Sequence, residues 1–245
     1  MKLLQIYINQ SCNYKCPQCP MKKWTYEQDE LDLEGNKYNR ITNFDLIPWV
    51  DEMVDPAKTV VQIDGGEPAL YSEINTLVQD LQFRNFGGLI RTNGSLPIPQ
   101  IPNFKRIAAW HQGKPMPKYY DLILIFRNAL DNWEEKEQYC KDNGIPYTVF
   151  NYMIFDSKSE HGDQSCCRVP TETKCGEVID AMATIYASGK IGKCFVQEPS
   201  DGLFSNHRNN PIEWFPLCSS CGSGSSVEYF LRKTGLWKDG KPAWL

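Results

Sequence analysis

The chain has 245 residues, a net charge of −4, and 41% apolar and 23% charged residues. That profile fits an ordinary globular protein with one sizeable core, or one domain plus a small appendage. An acidic balance without a concentrated basic face argues against a nucleic-acid partner, because phosphate contacts require clustered Lys and Arg. No stretch reads as a membrane span, and the apolar N-terminal run ends at Asn9 without a small-residue cleavage site; a cytoplasmic protein that engages no membrane is expected. In that reducing setting the ten cysteines point to metal more than to disulfides.

In chain order, residues 3–9 read as a first strand, followed at once by Cys12, Cys16 and Cys19 in a CxxxCxxC run. Residues 20–42 are mostly polar and read as a long surface loop. Thr42 with Asp45 resembles a capping box opening a helix over 44–54 that Pro48 must bend or restart. Residues 59–64 form a second strand, ending at Gly65-Gly66-Glu67-Pro68. Ser72 is expected to cap a helix carrying Ile74, Leu77, Val78 and Leu81 on one face. Further strands are expected over 89–92, 105–110, 121–126 and 147–152, with a helix over 131–142 stopped by Asn143-Gly144. Six strands alternating with helices or loops argue for an α/β fold whose parallel sheet curves into an incomplete barrel.

From about residue 160 the chain is rich in Cys, Gly, Ser and Pro, with a hairpin over 183–195. So little apolar material needs a staple. Residues 222–226 (Gly-Ser-Gly-Ser-Ser) read as a linker into a helix over 227–233 and a Trp-containing tail.

Three thiolates on one short loop suit an iron-sulfur cluster. Zinc is the alternative, although it usually shows two paired units and these spacings offer no nearby fourth ligand. Together, the CxxxCxxC run after the first strand and Gly65-Gly66-Glu67-Pro68 after the second resemble the radical S-adenosylmethionine (radical SAM) superfamily. The resemblance covers about residues 1–155 and implies a partial (β/α)6 barrel. It also implies that Cys12, Cys16 and Cys19 hold a 4Fe-4S cluster whose open iron is chelated by the methionine amine and carboxylate of SAM.

Glycine at 65 and 66 allows close backbone approach to a ligand and positive φ, and Glu67 would accept from the methionine ammonium through its carboxylate or the adjacent backbone. Thr92-Asn93-Gly94 is similar to a turn beside the SAM pocket of many relatives. The residue before the last cysteine is often aromatic in the family and packs near the adenine; here it is Gln18, so that contact differs. Strand ends of a parallel barrel nominate Asp64, Asn93, His111, Arg127, Asn151 and Tyr152 as substrate contacts. Of these, His111 and Arg127 are the candidates for substrate anchoring or proton transfer, against the alternatives of a loop residue and a surface charge.

Cys175, Cys194, Cys218 and Cys221, with the hairpin between the first two, resemble Twitch, the first half of the SPASM extension, over about residues 166–222. The resemblance implies one auxiliary 4Fe-4S cluster, with zinc on these four cysteines as the alternative. Cys166 and Cys167 could supply a ligand, donate a hydrogen atom, or be small buried residues, and Cys140 reads as core packing. The domains expected are a radical SAM barrel over 1–155, a Twitch subdomain over 156–222, and a C-terminal helix and tail over 223–245.

What the resemblance implies is an enzyme that takes one electron from an external donor such as flavodoxin or ferredoxin. It would cleave SAM to methionine and a 5′-deoxyadenosyl radical and abstract a substrate hydrogen. An auxiliary cluster would accept an electron from the product radical, making the net change an oxidation, as in the small dehydrogenases of this type that oxidise a secondary alcohol. A peptide- or protein-modifying maturase (crosslinking, epimerisation or formylglycine formation) is the alternative. Further from both stand modification of a nucleoside or nucleic acid, and a non-enzymatic zinc or iron-sulfur module.

Overall fold

The computed structural model describes residues 1–9, 11–14, 16, 42–127, 131–151, 179–186, 191–192, 214–216 and 222–245. Strands β1 (Lys2–Tyr7), β2 (Thr59–Asp64), β3 (Gly88–Thr92), β4 (Phe104–Trp110), β5 (Leu122–Arg127) and β6 (Tyr147–Asn151) lie side by side in chain order, all parallel. On the other side of β1 a seventh strand, β7 (Ala181–Ile185), is also parallel to it. The short strands β8 (Ile191–Gly192) and β9 (Phe215–Pro216) pair antiparallel with β7. The first strand of the expected hairpin is therefore hydrogen-bonded along the main sheet, which reads β6-β5-β4-β3-β2-β1-β7-β8.

Strands laid down in sequence order, each crossover having the same hand, send their connecting helices to one face. Helices α1 (Asn43–Met53) and α2 (Ile74–Phe83) cover Leu4, Ile6, Val61, Ile63 and Ile90, while α3 (Trp133–Asp142) covers Ile123 and Ile125 through Cys140. The residues between these, Leu3, Val60, Leu89, Ile107, Leu122 and Leu124, face the other way. They pack on Val227, Phe230 and Leu231 of a last helix, α4 (Gly222–Lys233). Three helices thus cover one face, and α4 seals the rows of the opposite face nearest the N-terminal strand ends.

Local departures from expectation have identifiable causes. Helix α1 runs through Pro48 without restarting. Thr42 caps it by accepting from the Asp45 N–H (3.3 Å) and donating to the Asp45 carboxylate (2.8 Å), so the helix is established before the proline removes one interior bond. Ser72 does not cap α2. Residue 73 occupies that position without a capping side-chain bond, because the Glu73 carboxylate instead accepts from the Asn43 N–H at the start of α1 (3.0 Å). Residues 222–226 are not a linker but the first turns of α4; burial of Val227, Phe230 and Leu231 outweighs the poor helix propensity of Gly and Ser upstream. Among the described residues no helix is long and apolar enough to cross a membrane.

Phe230 is 2% exposed, whereas Phe83 on α2 is 84% exposed. Phe230→Ala is expected to cost about 3–5 kcal/mol in urea unfolding through cavity formation, against about 0.5 kcal/mol or less for Phe83→Ala.

Candidate cofactor site

Asn9 and Ser11 lie against residues 65–67 beyond the ends of β1 and β2. The Gly66 N–H donates to the Asn9 carbonyl (3.1 Å) and the Glu67 N–H to the Ser11 carbonyl (2.7 Å). The Asn9 side chain closes the gap, donating from Nδ2 to the Glu67 carbonyl (2.8 Å) and accepting at Oδ1 from the Gly66 N–H (3.2 Å). A Cβ on residue 65 would lie 2.3 Å from Asn9 Oδ1, so glycine there is demanded by a neighbouring strand. Neither Gly65 nor Gly66 has positive φ, which corrects that part of the expectation: the chain bends at these two residues directly after β2 without entering the left-handed region.

Glu67 turns inward and is fully buried. Its carboxylate accepts from the Thr92 hydroxyl (2.6 Å), the Asn93 N–H (2.7 Å) and the Ala69 N–H (3.0 Å). Burial pushes its carboxyl above the usual range, opposed by these three bonds. Of the two contacts expected at Glu67, the carboxylate is committed to the protein; its own N–H and carbonyl are engaged by Ser11 and Asn9, so the adjacent backbone of the turn is what remains. Pro68, also buried, opens the single 3-10 turn that follows, where its missing N–H costs nothing.

From β3, Asn93 reaches into the cysteine loop. Its Nδ2 donates to Asn13 Oδ1 (2.8 Å) and lies 4.0 Å from Cys12 Sγ, while Asn13 Nδ2 donates to Ser95 Oγ (2.9 Å). Cys12 is exposed, Cys16 is partly so, and neither is in a disulfide. The Tyr14 N–H also points at Cys12 Sγ (3.4 Å). Two accessible sulfurs on a short loop, one of them facing N–H donors, suit a thiolate-ligated cluster. Gln18, Cys19, Cys166, Cys167, Cys175, Cys194, Cys218 and Cys221 lie outside the described residues, within which no group of three potential ligands occurs.

His111 follows β4 and meets the same loop. Its ring stands edge-on to Tyr14 at 6.1 Å between centroids and 6.4 Å from Phe126. Burial, then the charges of Lys136, Arg91 and Lys114, push its pKa down to about 4, so at neutral pH it is an uncharged donor and acceptor. Arg127 is not brought in. It alternates with Ile123 and Ile125 toward the helix-covered face, is exposed, and lies over the Trp133 ring of α3 at 4.5 Å. Tyr152 and the Asn151 side chain are not described. Sequence reasoning passed over Asn9, Tyr14 and Arg91; the available signals were a polar residue closing an apolar strand, an aromatic inside the cysteine loop, and a lone charge in an otherwise apolar strand.

No protein-family model matches the chain. Over 121 residues it is 26% identical to the 7-carboxy-7-deazaguanine synthase of Aquifex aeolicus (strain VF5), a stretch that is 49% of this chain and 50% of that protein. The chain therefore spans about half the length of the curated relative it matches. Among solved structures it is similar to Streptococcus suis SuiB bound to S-adenosylmethionine, with a TM-score of 0.53 and 14% identity, covering 86% of this chain and 62% of that one. At that identity the likeness is one of fold.

Thr92→Val should leave the buried Glu67 carboxylate one donor short and lower unfolding free energy by about 1–3 kcal/mol. His111 gives a pH signature with a definite sign. Above pH about 6.5 it is neutral in both states; as pH falls toward 4 the unfolded chain takes a proton that the folded state refuses, so stability is lost, by up to about 3 kcal/mol. Denaturation curves at pH 7 and pH 4.5 should show a smaller drop for His111→Gln than for the wild type.

Proposed function

We propose that this chain is a radical SAM enzyme. The carrying observation is the direct hydrogen-bonded junction of the cysteine loop with the two other predicted SAM-binding segments: Asn93 to Asn13 and toward Cys12, and Gly66 and Glu67 to Asn9 and Ser11. The deazaguanine synthase match and the SuiB fold both support this family. On this reading Cys12, Cys16 and Cys19 hold a 4Fe-4S cluster that, with bound SAM, supplies a 5′-deoxyadenosyl radical at the strand ends.

The chain's own residues position and insulate that chemistry. Glu67 acts through the shape it imposes, holding the turn over 65–68 and the turn at Thr92-Asn93 at a constant separation, and backbone groups of the turn are left to meet the methionine ammonium. Tyr14 and uncharged His111 wall the side of the loop toward β4 and β5. Arg127 has no part on this reading. Cys175, Cys194, Cys218 and Cys221 are proposed, from their spacing, to hold an auxiliary cluster that makes the net reaction an oxidation, with an external one-electron donor.

The test is anaerobic reconstitution followed by dithionite reduction with SAM. The wild type should release 5′-deoxyadenosine and contain about eight irons per chain, four per cluster. Cys12→Ala should abolish the product. Changing Cys175, Cys194, Cys218 and Cys221 together to Ala should leave about four irons. No 5′-deoxyadenosine from a wild-type protein that has taken up iron would refute the assignment, and a wild-type iron content near four that the quadruple change leaves untouched would remove the auxiliary cluster.

A further inference from the structure

The sheet face opposite α1 to α3 changes character along the strands. Its lower rows, against α4, are apolar. Above them Thr184, Gln5 and Gln62 stand abreast on β7, β1 and β2, all buried. In the next row Tyr7 pairs with Asp64, and Arg91 on β3 joins Asp64 through an Nε to Oδ1 contact of 3.6 Å. The polar groups of this band are only partly satisfied. Thr184 donates to Gln5 Oε1 (3.3 Å) and Gln62 Nε2 to Asp64 Oδ2, but Gln5 Nε2 is buried without a partner.

Arg91 is the exposed member of its pair, 40% against 8% for Asp64. At 3.6 Å the pair is an electrostatic contact and not a hydrogen bond; among the described residues no acceptor takes any of the five guanidinium N–H groups. Asp64, held by Gln62 beneath, keeps the cation in place, and among the described residues nothing closes the planar fork. The charges around neighbouring His111 include Arg91 and Lys114, while Lys136 is neutralised by Asp131 at 2.6 Å. Arg91 and Asp64 offset each other as a pair, and Lys114 adds a further cation. Arg91 also alternates away from Thr92, whose hydroxyl belongs to the Glu67 knot, so its side chain leaves β3 on the opposite face from that hydroxyl.

Resting on the radical SAM reading, we infer that Arg91, seated on Asp64, anchors a carboxylate or phosphate group of the substrate on this face, below the cysteine loop. The substrate class is thus an anionic molecule, gripped by a fork suited to bidentate oxyanion binding. Gln5 and Gln62 lie in the row beneath the anchor, where an unused amide donor is already present.

The experiment is calorimetric titration of the reconstituted protein with malonate, inorganic phosphate, uncharged malonamide and, separately, SAM. Malonate or phosphate should bind the wild type and malonamide should not. Arg91→Gln should weaken the anion at least roughly tenfold and Arg91→Lys by less, the ammonium keeping charge but losing the fork; Lys58→Gln, at the far end of β2, should change nothing. SAM affinity should stay within about twofold throughout, each tenfold step being a separate binding term. Near-UV circular dichroism checks folding, and if Arg91→Gln does not fold, the Arg91→Lys comparison decides alone. Absence of anion binding to the wild type, unchanged binding in the variants, or equal weakening of SAM with malonate displaced by SAM would each overturn the anchor, the last assigning Arg91 to the cofactor's own carboxylate. Measuring 5′-deoxyadenosine in the same samples separates the two claims: its absence with Arg91-dependent anion binding removes the radical reading, and its presence without such binding removes only the anchor.

Discussion

A single buried carboxylate holds the candidate site together. Taking Glu67 out of water is costly unless its oxygens are met by donors, and Thr92, Asn93 and Ala69 meet them. The consequence is geometric. The ends of β2 and β3 are drawn to a common point, and Asn9 stitches the exit of β1 to the same turn. The cysteine loop leaves β1 only after that stitch, so its starting direction is set by the polypeptide itself. A turn that looks in sequence like a ligand contact is first a structural knot, and its glycine at 65 is required by a neighbouring asparagine.

Winding the strands in chain order has a second consequence. Once α1 to α3 occupy one face, every second side chain of the sheet is left facing the other, and α4 can cover only part of it. Where α4 stops, the sequence supplies Gln5, Gln62, Asp64, Arg91 and Thr184, residues that no apolar layer would accept. The boundary between α4 and this band divides a structural floor from a region able to recognise a polar molecule.

Much of the scaffold was legible before folding. β5 opens on a continuous apolar run because both of its faces are covered there, and α2 shows its stripe at Ile74, Leu77, Val78 and Leu81 because one side only is buried. What failed to show was context. Poor helix formers at 222–226 are helical because packing further along α4 holds them, Ser72 yields its capping position because Glu73 serves another helix, and β7 lies in the main sheet because β1 had an unpaired edge.

The sequence by itself determined the strand order of cysteines, glycines and Glu67, the alternation of each strand, and hence which residues could share a face. Only the tertiary structure decided which face that was. Arg127 and His111 both stand at strand ends, yet one lies over Trp133 outside the sheet and the other meets Tyr14 of the cysteine loop. Burial and neighbouring cations, invisible in a string of letters, then hold His111 uncharged. The physical reason is the same in each case: alternation along a strand is local, whereas its sign, and the field at each end, depend on helices and loops distant in the chain.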